Sequence, residues 1–374
     1  MGIFLLILLQ NIVFGSYIAL RLYQAFFKKY NIWLVIILFL ILFSSFLIVR
    51  ILARTFGINI PNSIIFTTHI ILGFTNYLFM FLIFTDVLRL IFKLIHTPFM
   101  SYTIQMTIVL ILTIITTIYG YINSHNTKVT EYSITLKKEL KENVKIAAIS
   151  DLHIGADMSP KRLHKEIETI NNLQPDIIFI VGDIVDNNIK DLTQAHLDEL
   201  KKLQAPLGTY AVIGNHDYYS TDNATIKNLL NKANINTLID NVTYIAEKGF
   251  YVIGRDSLRH TNDDGSKRQT IETLYNKIDD KTKPLIILDH VPKGLEDGKK
   301  INADIQISGH THDGQTFPLN LIVRKMSLLS HGMLLDDGFY YIVSSGIGLW
   351  GPPVRVGTNA EVIFINVYGK NTNI

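Results

Sequence analysis

Residues 1–20 carry no charged side chain, and neither do Ile32–Val49 (IWLVIILFLILFSSFLIV). At a rise of about 1.5 Å per residue, each stretch is about as long as the hydrocarbon core of a bilayer is thick. A third apolar stretch begins at Ile64 and lasts until charges appear at Asp86, Arg89 and Lys93, and a fourth covers Ser101–Tyr121. A secretory signal followed by buried core helices fits poorly, because no basic residue precedes the first run and no small-residue cleavage site precedes Arg21. The expectation is a transmembrane region over 1–122 with spans at about 3–20, 32–52, 64–85 and 101–121, a polar connector over 123–143 with one strand at Glu131–Leu136, and a second domain over 144–374.

Charge divides the chain at the same place. Residues 1–130 hold eight Lys or Arg and one acid, Asp86, whereas the rest holds 27 basic and 31 acidic residues. The overall charge of +3 therefore averages two unlike parts, and a nucleic-acid footprint is not supported. The absence of Cys excludes disulfide scaffolds, thiolate metal sites and Cys nucleophiles. Asp86 and Arg89 are spaced as an interfacial i,i+3 pair. Five basic residues in the first and third loops (Arg21, Lys28, Lys29, Arg89, Lys93) against two in the second (Arg50, Arg54) place the C-terminal part outside the cytoplasm. Lys128, Lys137, Lys138 and Lys141 pull the other way. The expected location is the cell (inner) membrane, multi-pass, with an extracytoplasmic site.

From Val144 onward short Ile- and Val-rich runs alternate with polar helical stretches, an α/β pattern. Strands are expected at Lys145–Ile149, Ile177–Val181, Tyr210–Ile213, Tyr251–Ile253, Leu285–Leu288, Ile305–Ile307, Tyr340–Val343 and Val362–Val367. Helices are expected at Pro160–Leu173, Leu192–Leu203, Ala224–Ala233 and Thr270–Ile278. Five of these strands run into Asp151-Leu-His153, Gly182-Asp183-Ile-Val-Asp186, Gly214-Asn215-His216-Asp217, Asp289-His290 and Gly309-His310-Thr-His312. In open α/β sheets, ligands collect at the carboxyl ends of strands. Oxygen and nitrogen donors without sulfur suit Mn²⁺, Fe²⁺ or Zn²⁺. Asp151, His153, Asp183, Asn215, His290, His310 and His312 are too many donors for one ion and fit two divalent ions sharing a carboxylate, a pair able to clamp a phosphoryl group and hold a bridging hydroxide.

These five blocks, in this order and at these intervals, resemble the calcineurin-like metallophosphoesterase superfamily over residues 144–367, and the run Ser345–Arg355 is similar to its membrane-associated bacterial branch. The resemblance implies a four-layer α/β/β/α sandwich. It implies that Asp151, His153 and His312 hold one ion, that Asn215, His290 and His310 hold the other, and that Asp183 bridges them. It makes His216 the proton donor or phosphate contact, with Asp217 orienting that imidazole and Asp186 accepting from a ligand in the same way. Arg355 is a candidate phosphate or headgroup contact or a structural salt bridge. The family often continues Gly-Gly-Gln after its last His, where this chain has Asp313-Gly314-Gln315, an acid able to tune the pocket or repel an anion. His69 and His96 read as helix or interface contacts, and His125, His164, His196, His260 and His331 as surface or loop residues. The expected function is hydrolysis of a phosphoester or phosphoanhydride, with a lipid-linked substrate as partner to a bilayer-embedded enzyme. The alternatives are a non-catalytic ligand sensor and a regulator of a membrane transporter, although none of the family's ligands is missing.

Overall fold

The computed structural model describes residues 2–258 and 267–370, with the backbone alone for 2–10; His260 lies outside the described residues. Contacts divide the chain into two units, Met1–Ile122 with Gly351–Val354, and Asn123–Trp350 with Arg355–Ile374.

The first unit is helical: α1 (Gly2–Leu22), α2 (Ile32–Phe43), α3 (Ser45–Thr55), α4 (Asn62–Leu94) and α5 (Tyr102–Ser124). Asn31 starts α2 by accepting from the backbone N–H groups of Trp33 and Leu34. Ile18, Leu22, Phe43, Leu78, Leu82, Met106 and Val109 pack inside it. Large apolar side chains such as Trp33, Leu38 and Ile115 face outward, the pattern of helices solvated by lipid. Among the described residues, α4 and α5 are long and apolar enough to cross a membrane, and α2 with Ser45–Ala53 makes a third stretch bent by 55°. This is fewer than the four spans expected. The first expected span falls in α1, whose initial side chains are not described. The Asp86–Arg89 pair does not form. Asp86 pairs with Arg21 at 2.6 Å and accepts from Tyr17 and Gln105, while Arg89 turns to Gln105 and the Met100 carbonyl.

The second unit contains β1 (Lys128–Thr135), β2 (Val144–Ile149), α6 (Pro160–Asn172), β3 (Ile177–Val181), α7 (Gln194–Leu200), β4 (Thr209–Val212), α8 (Asn223–Lys232), β5 (Ile235–Thr237), β6 (Asn241–Ile245) and β7 (Phe250–Gly254). It continues with α9 (Ile271–Tyr275), β8 (Leu285–Leu288), α10 (Leu295–Lys300), β9 (Ile305–Ser308), α11 (Leu319–Met326), β10 (Gly332–Asp336), β11 (Phe339–Val343) and β12 (Glu361–Tyr368). One sheet has the order β1-β12-β2-β3-β4-β5 and the other β10-β11-β9-β8-β7-β6. In the first, β2 to β5 are parallel and β12 runs against β2; in the second, β7, β8, β9 and β11 are parallel.

Strands such as Ile177–Val181 are apolar throughout because both faces are covered. Ile146, Phe179 and Val212 of one sheet share a core with Val252, Leu288 and Ile307 of the other. The opposite face of the first sheet packs on α6, α7 and α8 through Leu163, Ile167, Leu197 and Leu230. Ile271 and Leu274 of α9 pack against the second sheet.

β1 extends through the expected connector. It pairs in parallel with β12 from Lys128↔Glu361 to Thr135↔Tyr368. β5, β6 and β10 have no counterpart in the sequence reading. β5 and β10 are sheet edges like β6, short and carrying polar residues, so their strand state comes from a partner rather than from their own pattern.

Candidate metal centre

The parallel strands deliver their chemistry at their carboxyl ends. Asp151 and His153 follow β2, Asp183 follows β3, Asn215 and His216 follow β4, His290 follows β8, and His310 and His312 follow β9. Asp151, His153, Asp183, His310 and His312 all have φ between 45° and 72°, in the left-handed region that non-glycine residues rarely occupy. The backbone holds them there. Asp151 N–H donates to Gly182 O and His153 N–H to Asp183 O, each at 3.0 Å, and His310 N–H donates to the Asp151 carboxylate at 3.0 Å. Glycines make this packing possible. A Cβ on Gly182 would lie 2.6 Å from His290 Nδ1, and one on Gly214 would lie 2.1 Å from Asp183 Oδ1.

Three overlapping groups have ligand atoms close enough to share an ion: Asp151, His153 and His312; His153, Asp183 and His216; and Asp183, His290 and His310. In the first, His153 Nε2 and His312 Nε2 face each other at 3.1 Å, with Asp151 Oδ1 3.3 Å from His312 Nε2. In the third, His290 Nε2 lies 3.1 Å from Asp183 Oδ2. His290 Nδ1 donates to Val181 O at 2.8 Å, so Nε2 is the nitrogen that offers a lone pair to the site. His290 Nε2 and Asn215 Oδ1 are buried without a hydrogen-bond partner. Orphaned buried acceptors and lone pairs aimed at one another are the signature of a cation site, so these residues fit divalent ions.

Electrostatics agrees. Burial, and for His310 the neighbouring His290, pushes His310 and His312 down to about 4, leaving them neutral as ligands must be. Burial alone would raise Asp151, but His312, His290 and His153 hold it well below the usual carboxylate range. Burial opposes charge on His290 too, yet Asp183 pushes it up to about 10, a measure of how strongly this carboxylate attracts positive charge.

The sequence-derived roles around His216 change partners. Asp217 does not orient His216. It is buried, and its two oxygens accept from the backbone N–H groups of Val185 and Gly214 at 2.8 Å, so it braces the β3 and β4 loops against each other. Asp186 stands behind the imidazole instead. His216 Nδ1 donates to Asp186 O at 2.6 Å, and the Asp186 carboxylate lies 3.5 Å from His216 and 3.4 Å from His153.

Arg355 is fully buried and therefore cannot touch a phosphate or headgroup. Its guanidinium donates to the carbonyls of Ser345, Gly346, Gly348 and Asn359. It thereby fixes the loop whose Gly348 N–H donates to Asp151 O. Asp313 is also buried, and its charge is matched by Arg324 and Ser330, so it presents no anion to a substrate. His196 is a buried capping residue bonded to Thr193 and Met158 O rather than a surface group.

Two residues that the sequence reading did not assign to the site frame it. The Tyr219 ring centroid lies 4.5 Å and that of Trp350 6.5 Å from the His216 ring, and both are exposed. Their position directly after the Gly214–Asp217 block and inside the Ser345–Arg355 run was the available signal.

Strand-end carboxylates, an amide and imidazoles in overlapping ion-sized groups define a metal-dependent class. Within it, the calcineurin-like phosphoesterase family matches residues 144–314. A metallophosphoesterase of Aquifex aeolicus is 31% identical over 260 residues, which cover 67% of this chain and 96% of the relative. One from Campylobacter jejuni is 33% identical over 233 residues, covering 62% of this chain and 61% of the relative. A zebrafish transmembrane protein with a metallophosphoesterase domain is 28% identical, covering 69% and 61%. The chain belongs to the calcineurin-like metallophosphoesterase family. Its match spans about three fifths of the Campylobacter relative's length. The apolar helices and the transmembrane relatives make it a membrane-associated member.

Proposed function

We propose that the chain hydrolyses a phosphoester or phosphoanhydride bond on a lipid-linked substrate, with Asp151, His153 and His312 holding one divalent ion, Asn215, His290 and His310 a second, and Asp183 shared. The observation that supports this reading is that Asp183 groups with His290 and His310 on one side and with His153, itself grouped with Asp151 and His312, on the other. Mn²⁺, Fe²⁺ or Zn²⁺ at these positions would supply Lewis-acid polarisation of the phosphate and a hydroxide nucleophile at neutral pH. The core shared by both sheets, with helices packed outside, supports a four-layer α/β/β/α sandwich that keeps the seven donors fixed.

His216 is positioned to serve as general acid. Because Nδ1 donates to the Asp186 carbonyl in either charge state, Nε2 is the nitrogen that exchanges a proton with the leaving oxygen. Its own backbone N–H donates to Asp183 Oδ1 at 2.8 Å, tying the acid to the shared carboxylate. Asp186 is a positioning residue for both His216 and His153.

The membrane region supports a substrate with an acyl or prenyl chain, such as a phospholipid headgroup ester, a prenyl pyrophosphate or a nucleotide-linked lipid. It belongs to a multi-pass protein of the cell membrane with the site on the extracytoplasmic side, following the loop charges. The test is a panel of soluble and lipid phosphates given to detergent-extracted full chain with Mn²⁺. Metal-dependent turnover with preference for lipid phosphates is expected, and no turnover of any phosphate by metal-loaded protein overturns the reading.

A further inference from the structure

Among the described residues of the second unit, twelve large apolar side chains are exposed, and six of them fall within residues 317–328: Phe317, Leu319, Leu321, Ile322, Met326 and Leu328. This stretch contains α11, which is amphipathic in the opposite sense from a helix on a soluble protein. Asn320 and Arg324, one turn apart, face the body of the unit. Asn320 is buried and donates to Gly357 O, and Arg324 holds the buried Asp313. The outer face carries Leu319, Ile322 and Met326, the last 81% exposed.

Charge in this stretch is of one sign. No acidic residue lies between Asp313 and Asp336, and of the two cations that close the helix Arg324 is paired with Asp313, which leaves Lys325 as the exposed positive charge. An apolar face with a basic end matches an anionic lipid surface. Two copies meeting through this face would set like charges against each other. In the chain itself, only residues 125–127 separate the end of α5 from the start of β1.

We propose that residues 317–328 form an interfacial element that dips into the lipid headgroup region. Through Asp313, next to His312, this element seats the rim of the metal site on the membrane. The proposal rests on the membrane reading of the chain and deepens the lipid-substrate reading.

The chain has no Cys, so single labels can be placed without background. Met326→Cys, Leu328→Cys and, as a control on β10, Leu335→Cys are made in the full chain, labelled with a small fluorophore and reconstituted in phosphatidylcholine–phosphatidylglycerol nanodiscs containing shallow nitroxide lipids. Quenching at 326 and 328 should exceed that at 335 several-fold and fall when Lys325→Glu is added. Equal quenching at the three positions overturns the proposal. So does a blue-shifted but unquenched label that appears only at several copies per disc, an outcome that assigns the face to a second copy. The readout needs no turnover, so failure of docking and failure of the hydrolase reading are distinguishable.

Discussion

Gly214→Ala tests the packing of the site more sharply than removal of a ligand does. Gly214 is not among the residues at positive φ, so an alanine costs no backbone strain there and acts through its methyl alone. That methyl would sit 2.1 Å from Asp183 Oδ1 and 2.3 Å from Asp183 N. Ordinary van der Waals contact begins near 3.4 Å, so the carboxylate or the β4 loop must move by more than 1 Å. The same oxygen accepts from His216 N–H, and its partner oxygen faces His290 Nε2, so the shift is transmitted to His216 and to the two candidate ligand groups that contain Asp183. A misplacement of about 1 Å in a catalytic array costs on the order of 10²-fold in rate. Hydrolysis of a nitrophenyl phosphate with saturating Mn²⁺, metal content by mass spectrometry and a thermal melt separate the outcomes. We expect a drop of about 10²-fold in kcat/KM with reduced metal content and a folded protein. Activity and metal content within a factor of about three of wild type would refute the argument that Asp183 is clamped at this spot, since about 0.7 kcal/mol is too little for such a displacement.

Other substitutions separate the roles of neighbouring groups. Asp183→Asn should deplete bound metal and lower turnover by several orders of magnitude with the unit still folded, and near-normal hydrolysis at added Mn²⁺ refutes the shared-ligand role. His216→Asn should lose most on substrates with poor leaving groups and least on nitrophenyl esters while keeping its metal; a uniform loss, or metal depletion, makes it a ligand instead. Asp217→Asn replaces one of two buried acceptors by a donor facing a backbone N–H, so about 1–3 kcal/mol of stability should be lost. In that variant the leaving-group dependence should be unchanged, and a changed dependence would return Asp217 to the role of orienting His216. A reporter fused after Ile374 that is active only in the cytoplasm reverses the proposed sidedness.

The strands that carry the site were legible because a parallel strand covered on both faces is a run such as Ile177–Val181, ending where a carboxylate or imidazole begins. Local chemistry therefore marked both the element and its functional end. Contacts made across the fold were not legible. Asp217 follows His216 in the chain, but its side chain points to the opposite loop, where two backbone N–H groups offer better partners than an imidazole. Asp186, thirty positions before His216, takes its place only because β3 and β4 are neighbours in the sheet. Arg355 read as an anion contact or a structural salt bridge because a guanidinium suits phosphate and carboxylate, but five N–H donors also suit a cluster of loop carbonyls, and no sequence signal separates these uses. Asp86 found Arg21 rather than Arg89 for a similar reason, since helix packing offered a nearer cation than its own turn did.

The strain at the strand ends has a thermodynamic consequence. Five of the seven proposed ligands lie at positive φ, and a non-glycine residue there costs about 1–2 kcal/mol. The sum approaches the whole stability of a domain, about 5–15 kcal/mol. Two aspartates and three histidines buried with lone pairs converging, beside the half-buried His310, add to the cost in the absence of cations. Ion binding to the folded state must offset much of it. An ion present at about 1,000 times its Kd contributes about 4 kcal/mol, and at about 2–4 °C per kcal/mol for a unit of this size each site should raise Tm by about 10 °C. Chelation of the full chain in detergent should therefore lower the melting temperature of the second unit by about 10–20 °C. Added Mn²⁺ should restore it, except in Asp183→Asn. A melting temperature unmoved by chelation and by Mn²⁺ would mean that the fold carries the strained ligands unaided, and the link between left-handed geometry and ion binding would have to be given up.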